Sequence, residues 1–126
     1  MTTRGSKYRG TTAFFIVYAK LVNAALAGGL VTYKEVAHVL GIRHTGHHMA
    51  NEVGQVLGEI SEDEHANGRP LLSALAVSEA GVPGEGFWTL ARRLGRFSGA
   101  GTEEEIRFWQ AEQGRVYETW QLPQGA

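Results

Sequence analysis

A chain of 126 residues with 43% hydrophobic and 20% charged residues has the size and balance of one ordinary folded domain. It contains no cysteine, which excludes disulfides, thiolate metal sites and cysteine nucleophiles, and which fits a cytoplasmic protein. The longest apolar stretch, residues 12–30, is interrupted by Lys20, Asn23 and two glycines, so we expect a soluble protein without a membrane span.

The formal net charge is −1, but the charges are unevenly distributed along the chain. Residues 1–43 carry six Lys or Arg and one Glu, whereas residues 44–90 carry one Arg and seven acidic residues. Such segregation can leave one positive face on a neutral protein, which is what binding of a polyanion requires locally. The alternative is that these are scattered, solvated surface charges.

Composition at the two ends of the chain predicts the limits of the domain. Residues 1–11 are polar and contain glycine, which predicts a flexible basic arm. We expect a single domain over residues 12–122 and a short tail over 123–126. The chain contains no internal repeat.

The first predicted helix follows directly after the arm. Apolar residues recur at helical spacing from Phe14 to Leu26. Thr11 or Thr12 is a suitable N-cap, and the pair Gly28-Gly29 ends the pattern.

The next two predicted helices are joined by a tight turn. Thr32 stands three residues before Glu35, which is a capping box, and Gly41 marks the end of a helix of about two turns. A polar turn at residues 43–46 leads into a longer helix over residues 47–63 with one apolar stripe. Two helices joined by a short, glycine-containing turn predict a helix-turn-helix unit.

The hydrophobic period changes after the third helix. Residues 71–78 form a short apolar run bounded by turn signals and predict a buried strand. A Gly/Pro-rich loop over 78–86 leads to residues 87–90, which are either a returning strand or a helix start. A final helix is expected from Thr102. The predicted fold is α+β, a winged helix-turn-helix with an N-terminal and a C-terminal helix packed on a small β wing.

The loop that would form the wing admits two interpretations. Glycines and prolines over residues 81–86 indicate a shaped loop that contacts a minor groove or a partner protein. Phe87 and Trp88 at its end either take part in that contact or fill the core, which is the commoner role of aromatics beside a strand.

Five short motifs over residues 30–88 resemble the DNA-binding domain of O6-alkylguanine-DNA alkyltransferases and alkyltransferase-like proteins. They are TYKEVA at 32–37, LG at 40–41, ANEVG at 50–54, NGRPLL at 67–72 and the glycines before Phe87. The resemblance implies a winged-helix fold and duplex DNA as the partner.

The resemblance also implies roles for individual residues. In that family a Tyr matching Tyr33 rotates a DNA phosphate, and an Arg matching Asn51 replaces a flipped base. The Pro-Cys-His-Arg active-site motif falls near residues 74–77, where Leu75 occupies the nucleophile's place and neither His nor Arg follows. Alkyl transfer needs a thiolate, so this chemistry is excluded. Asn51 is short and uncharged, which argues against base flipping.

The function expected from these observations is non-catalytic binding of duplex DNA, with residues 47–58 as the reading helix. Asn51 and Gln55 lie four residues apart on one face, and both residue types pair bidentately with adenine. Glu52 and Glu59 argue against close approach of phosphates along the whole helix. No cofactor, metal or catalytic residue is expected. The candidate DNA contacts are Arg4, Lys7, Arg9, Tyr33, Lys34, Arg43, His47, His48, Asn51, Gln55, Arg92 and Arg93.

Two other classes of function stay open. A protein-interaction module, an adaptor or an inhibitor, would use the same scaffold and the acidic centre to dock on a partner protein. A metal-dependent hydrolase would use His44, His48 and Glu52, or the acids of residues 59–64 beside His65. Against the hydrolase, a glycine at position 46 places His44 in the turn, which spoils its helical spacing to His48.

Overall fold

The structure is a computed structural model that describes residues 6–122. These residues form a mostly helical α+β fold with a two-stranded sheet. The elements are α1 (Thr12–Ala27), β1 (Val31–Thr32), α2 (Tyr33–Leu40), α3 (Gly46–Ala66), β2 (Ala76–Val77), α4 (Glu85–Arg93) and α5 (Thr102–Trp120). Within this part of the chain, no helix has the length and apolarity needed to cross a membrane.

The ends of α1 and α2 are those that the sequence predicts. The Thr11 hydroxyl accepts a hydrogen bond from the Phe14 amide, and Gly28 ends α1 with a positive φ of 71°. The capping box at Thr32 and Glu35 is formed in both directions, since each side chain accepts from the other residue's amide. These caps satisfy backbone groups that the helices themselves leave unpaired.

The sheet differs from the predicted wing. Strand β1 pairs in parallel with β2, with Val31 opposite Ala76 and Thr32 opposite Val77. The strand expected over residues 71–78 is therefore limited to two residues and is preceded by a 3₁₀-helix, Leu72–Leu75. Within residues 6–122, α3 is followed by no antiparallel hairpin.

Side chains replace the partner strand along this buried run. The Leu71 amide donates to the Glu112 carboxylate at 2.8 Å, and the Ser73 amide donates to the Ser61 hydroxyl at 3.0 Å. A buried amide needs a partner but does not need that partner to be a strand. The segment can therefore cross the core between α3 and α5 without a ladder.

Residues 87–90 belong to α4, so they form the start of a helix, and the alternative prediction of a returning strand is wrong. Gly84 is the N-cap, Glu85 opens the first turn, and Phe87, Leu90 and Ala91 are buried at helical spacing. Phe87 and Trp88 fill a core cluster with α5, as the second interpretation of the loop expected. These two aromatics are therefore core residues.

A buried carboxylate on α5 connects three parts of the fold. The side chain of Glu112 is fully buried and accepts from the Leu71 amide and from Arg96 and Arg115, at 2.9 Å and 2.6 Å in the two ion pairs. A charge in this position is tolerable only because every lone-pair direction meets a donor. Glu112 thereby joins α5 to the segment before the 3₁₀-helix and to the loop after α4.

We expect Glu112→Gln to destabilise the protein strongly. The amide keeps one acceptor oxygen but leaves the two guanidinium groups without their counter-charge, and breaking a buried ion pair costs about 3–5 kcal/mol. Arg96 and Arg115 are partly solvated, so we expect a loss below this range, of about 2–3 kcal/mol. Urea unfolding measures it. Glu118→Gln, an exposed position on the same helix, is the control, and an equal effect of both substitutions would contradict this role.

Candidate functional site

Backbone amides of the N-terminal segment (residues 7–11) bind a buried carboxylate of α3. The amides of Lys7, Tyr8 and Arg9 donate to Glu59 at 2.7, 3.0 and 2.8 Å. Glu59 is only 3% exposed. Three consecutive N–H groups therefore surround one carboxylate, as in backbone anion-binding nests.

A second carboxylate, Glu52, is paired with the same segment. The Lys7 ammonium lies 2.7 Å from it, and the Tyr8 hydroxyl donates a short hydrogen bond to it. The bonds from Lys7 and Tyr8 lower the pKa of Glu52. Burial, together with the bond to Glu52 and its charge, raises the pKa of Tyr8 to about 12. Glu52 is thus ionised, and its charge is compensated within the molecule.

Farther along α3, two arginines share Glu62. Arg9 and Arg93 each approach it to 2.7 Å, and Arg9 also binds Asp63 at 3.0 Å. Burial by itself raises the pKa of Glu62, but the hydrogen bonds from the two guanidinium groups outweigh burial and leave the pKa lowered. The acids on this face of α3 are therefore paired with arginines from the N-terminal segment and from α4.

These contacts involve the basic N-terminal third of the chain. The sequence predicts a flexible arm over residues 1–11, but within it Lys7, Tyr8 and Arg9 are bonded to α3. Three basic residues of the N-terminal third, Lys7, Arg9 and Lys34, are paired with acids of residues 44–90. Arg4 lies outside the described residues, and the domain limits stay a prediction.

Several other candidate DNA contacts also have intramolecular partners. Lys34 pairs with Glu79, Arg92 with Glu105 and Gln55 with Glu59. Arg93 and the neighbouring Arg96 are also paired, with Glu62 and Glu112, so the arginines of residues 92–96 do not form a free positive patch. The Lys34 and Arg92 pairs are at least partly solvated, and such pairs contribute little free energy, so a ligand can open them at low cost.

The beginning of α3 and the turn before it have a different character, and we call residues 43–51 the α3 tip. Its exposed polar side chains are Arg43, His44, Thr45, His47, His48 and Asn51. The tip contains no acidic residue. Thr45, the N-cap, makes no side-chain cap, and within residues 6–122 Arg43 forms no ion pair. The positive end of a 21-residue helix is therefore presented with donors around it.

Tyr33 is partly buried beside the tip. Its hydroxyl oxygen accepts the Gly84 amide at 2.6 Å, and burial raises its pKa despite this bond. The side chain thereby fixes the start of α4 and lines two cavities, of about 450 and 340 Å³, on its two sides. The hydroxyl hydrogen stays available for a further acceptor, because the bond to Gly84 uses only a lone pair.

The 450 Å³ cavity continues into one of about 430 Å³, and together they form a trough between α3 and α4. Gly54, Gly58 and Gly86 line both cavities. A methyl group built on any of the three would meet no atom within 4 Å. Glycine inside a helix is less favourable than alanine by roughly 1 kcal/mol, so neither packing nor helix stability explains Gly54 and Gly58.

Leu75 is fully buried in the core and lines neither half of the trough. Ser73 does line it, and its hydroxyl accepts from Ser61 at 2.7 Å. Among residues 6–122, no group of three or more His, Asp or Glu side chains is placed to hold a metal ion. His44 instead packs edge-on against His38.

In comparisons with known proteins, no family model, no curated protein and no solved structure matches this chain. The resemblance to alkyltransferase DNA-binding domains therefore stays a prediction drawn from short motifs.

The lowered pKa of Glu62 predicts a dependence of stability on pH. The contribution of its ion pairs is fully present above the ordinary carboxyl pKa of about 4.3 and is lost as the pH falls through the lowered folded-state value. We expect wild type to be more stable than Glu62→Gln at pH 6–8, and the difference to shrink below about pH 4. Urea unfolding across this range measures both. A difference that is independent of pH would contradict the pairing, and Glu118→Gln is the control.

Proposed function

We propose that this protein binds duplex DNA without catalysing a reaction, and that the α3 tip makes the contact. The observation that carries the proposal is the internal neutralisation of the carboxylates on α3. Glu52 and Glu59 argued against a DNA-binding helix in the sequence, but both are bonded to the N-terminal segment. What is left exposed at the start of α3 is polar or basic and free of acids.

The relation of α2 to α3 supports this use. They are two helices joined by a five-residue turn, and in helix-turn-helix proteins the N-terminal part of the second helix enters the major groove. Ser78 and Glu79 line the same 340 Å³ cavity as His44 and Gly46. The loop that begins at Ser78 therefore flanks the turn, and we assign it the place that a wing has in winged-helix proteins.

The proposed contacts are of two kinds, to phosphates and to a base edge. Arg43, His47 and His48 contact phosphates together with the free amides at the start of α3. Asn51, one turn farther on, contacts a base edge, since its amide matches the paired donor and acceptor of adenine. Tyr33 donates its free hydroxyl hydrogen to a phosphate.

Two of the remaining candidate DNA contacts are held by bonds within the fold. Arg9 is held by Glu62 and Asp63, and Gln55 donates to Glu59 at 2.6 Å. We do not assign them a role at the DNA. A chain without cysteine is suited to a reducing compartment, and we place the binding in the cytoplasm.

The test is fluorescence anisotropy with a labelled duplex of about 25 base pairs at several salt concentrations between about 50 and 200 mM. We expect the affinity to fall steeply with salt. Arg43→Ala should reduce the salt slope by about one and weaken binding to all sequences, whereas Asn51→Ala should cost about 1–3 kcal/mol on a preferred sequence only.

Arg107→Ala is the matched control, because Arg107 is an exposed arginine on α5. It should change the affinity for the duplex by less than about twofold. Absence of binding at low salt would refute the proposal, and so would an equal loss in Arg43→Ala and Arg107→Ala.

A further inference from the structure

Three glycines line the floor of the trough between α3 and α4, where alanine would make the helices more stable. Gly54 and Gly58 are one turn apart in the interior of α3, and Gly86 faces them from the first turn of α4. Alanine would fit at all three positions without a contact. Gly114 in α5 also has open space around it, but Gly54, Gly58 and Gly86 differ from it in lining both cavities, so the depth of the trough follows from their missing side chains.

The walls of the trough combine apolar and polar side chains. Leu57, Phe87 and Leu90 contribute apolar atoms to the 450 Å³ cavity. Asn51 lies at the end near the α3 tip, and Thr89 lies at the other end, beside the ion pair of Glu62 with Arg93. Both Asn51 and Thr89 are exposed. Such an arrangement suits a chain with apolar side chains and a polar backbone.

The charged side chains that line the trough indicate which charge a ligand should carry. Four charged side chains line the two cavities, but Glu59 is bonded to the amides of residues 7–9, and Glu62 is paired with Arg9 and Arg93. Glu85 is exposed and has no ion-pair partner among residues 6–122. A polyanion is disfavoured here, although it is favoured at the adjoining tip.

We propose that the trough binds an extended segment of a partner protein, with apolar side chains on its floor and a Lys or Arg beside Glu85. The glycines let the backbone of the segment approach the backbone of α3 closely. The exposed hydroxyl of Thr89 supplies a hydrogen bond to that segment. This site is additional to the DNA contact and does not depend on it.

A phage library of random heptapeptides, selected on the whole protein after depletion on Gly58→Leu, tests the proposal. Leucine at this position fills the trough and favours the helix, so the variant folds, which its Tm checks. We expect enriched peptides to combine apolar residues with Lys or Arg. Synthetic copies should bind wild type and lose at least tenfold in affinity on Gly58→Leu. Enrichment of acidic peptides, or no enrichment beyond the depleted pool, would overturn the proposal.

Three further variants give the matched controls. Gly54→Ala and Gly114→Ala should both raise the Tm by a few degrees, because both remove a glycine from a helix interior. Only Gly54→Ala should weaken the enriched peptides. Glu85→Gln should weaken them several-fold at an unchanged Tm. Equal peptide affinity in Gly54→Ala and Gly114→Ala would contradict the proposal, and so would a tenfold loss of duplex affinity in Gly58→Leu, since the trough would then belong to the DNA site.

Discussion

The bond between the Glu59 carboxylate and the amides of residues 7–9 is the interaction on which the rest of this account depends. A carboxylate that is almost wholly buried is costly unless donors surround it, and here the donors are backbone groups from a segment about 50 residues away. Satisfying Glu59 therefore fixes the N-terminal segment on α3. Once that segment is fixed, Lys7 and Arg9 reach the remaining acids of the helix.

This arrangement divides α3 into two functional parts. From Glu52 onward, the acidic face is covered and its charge is compensated. Before Glu52, the helix is exposed and has no acidic residue to compensate. In the proposal, the same helix stabilises the domain at one end and faces DNA at the other. Buried Glu64, bound by both nitrogens of Arg69, continues the same principle at the C-terminal end.

The sequence predicts well what depends on neighbouring residues. The caps at Thr11, Thr32 and Gly41 act within a few residues, so their residue types and spacing identify the helix ends. The run over 71–78 is different. Its apolar residues predict burial correctly, but its amides are paired by Ser61 and Glu112, which no local pattern reveals.

The candidate site follows the same division. The polar residues of the α3 tip are recognisable from their types, and the structure brings them together as exposed side chains. The bonds of residues 7–9 to α3 were not predicted, because their partners lie about 50 residues away in the sequence. The sequence does contain a signal for these bonds. The acids at positions 52, 59 and 63 lie on one face of α3, and their charge is opposite to that of the basic N-terminal residues. The four-residue spacing of Gly54 and Gly58 is the corresponding sequence signal for the trough.

The measurement that most directly tests the division of α3 is a ¹⁵N-¹H correlation spectrum of the protein titrated with a DNA duplex. We predict that the amide signals of residues 43–51 shift progressively, while those of residues 7–9 and 59–63 keep their positions because the N-terminal segment stays bonded to α3. Shifts centred on residues 7–9 and 59–63, with the tip unchanged, would contradict the account. They would mean that the segment leaves α3 to meet the DNA.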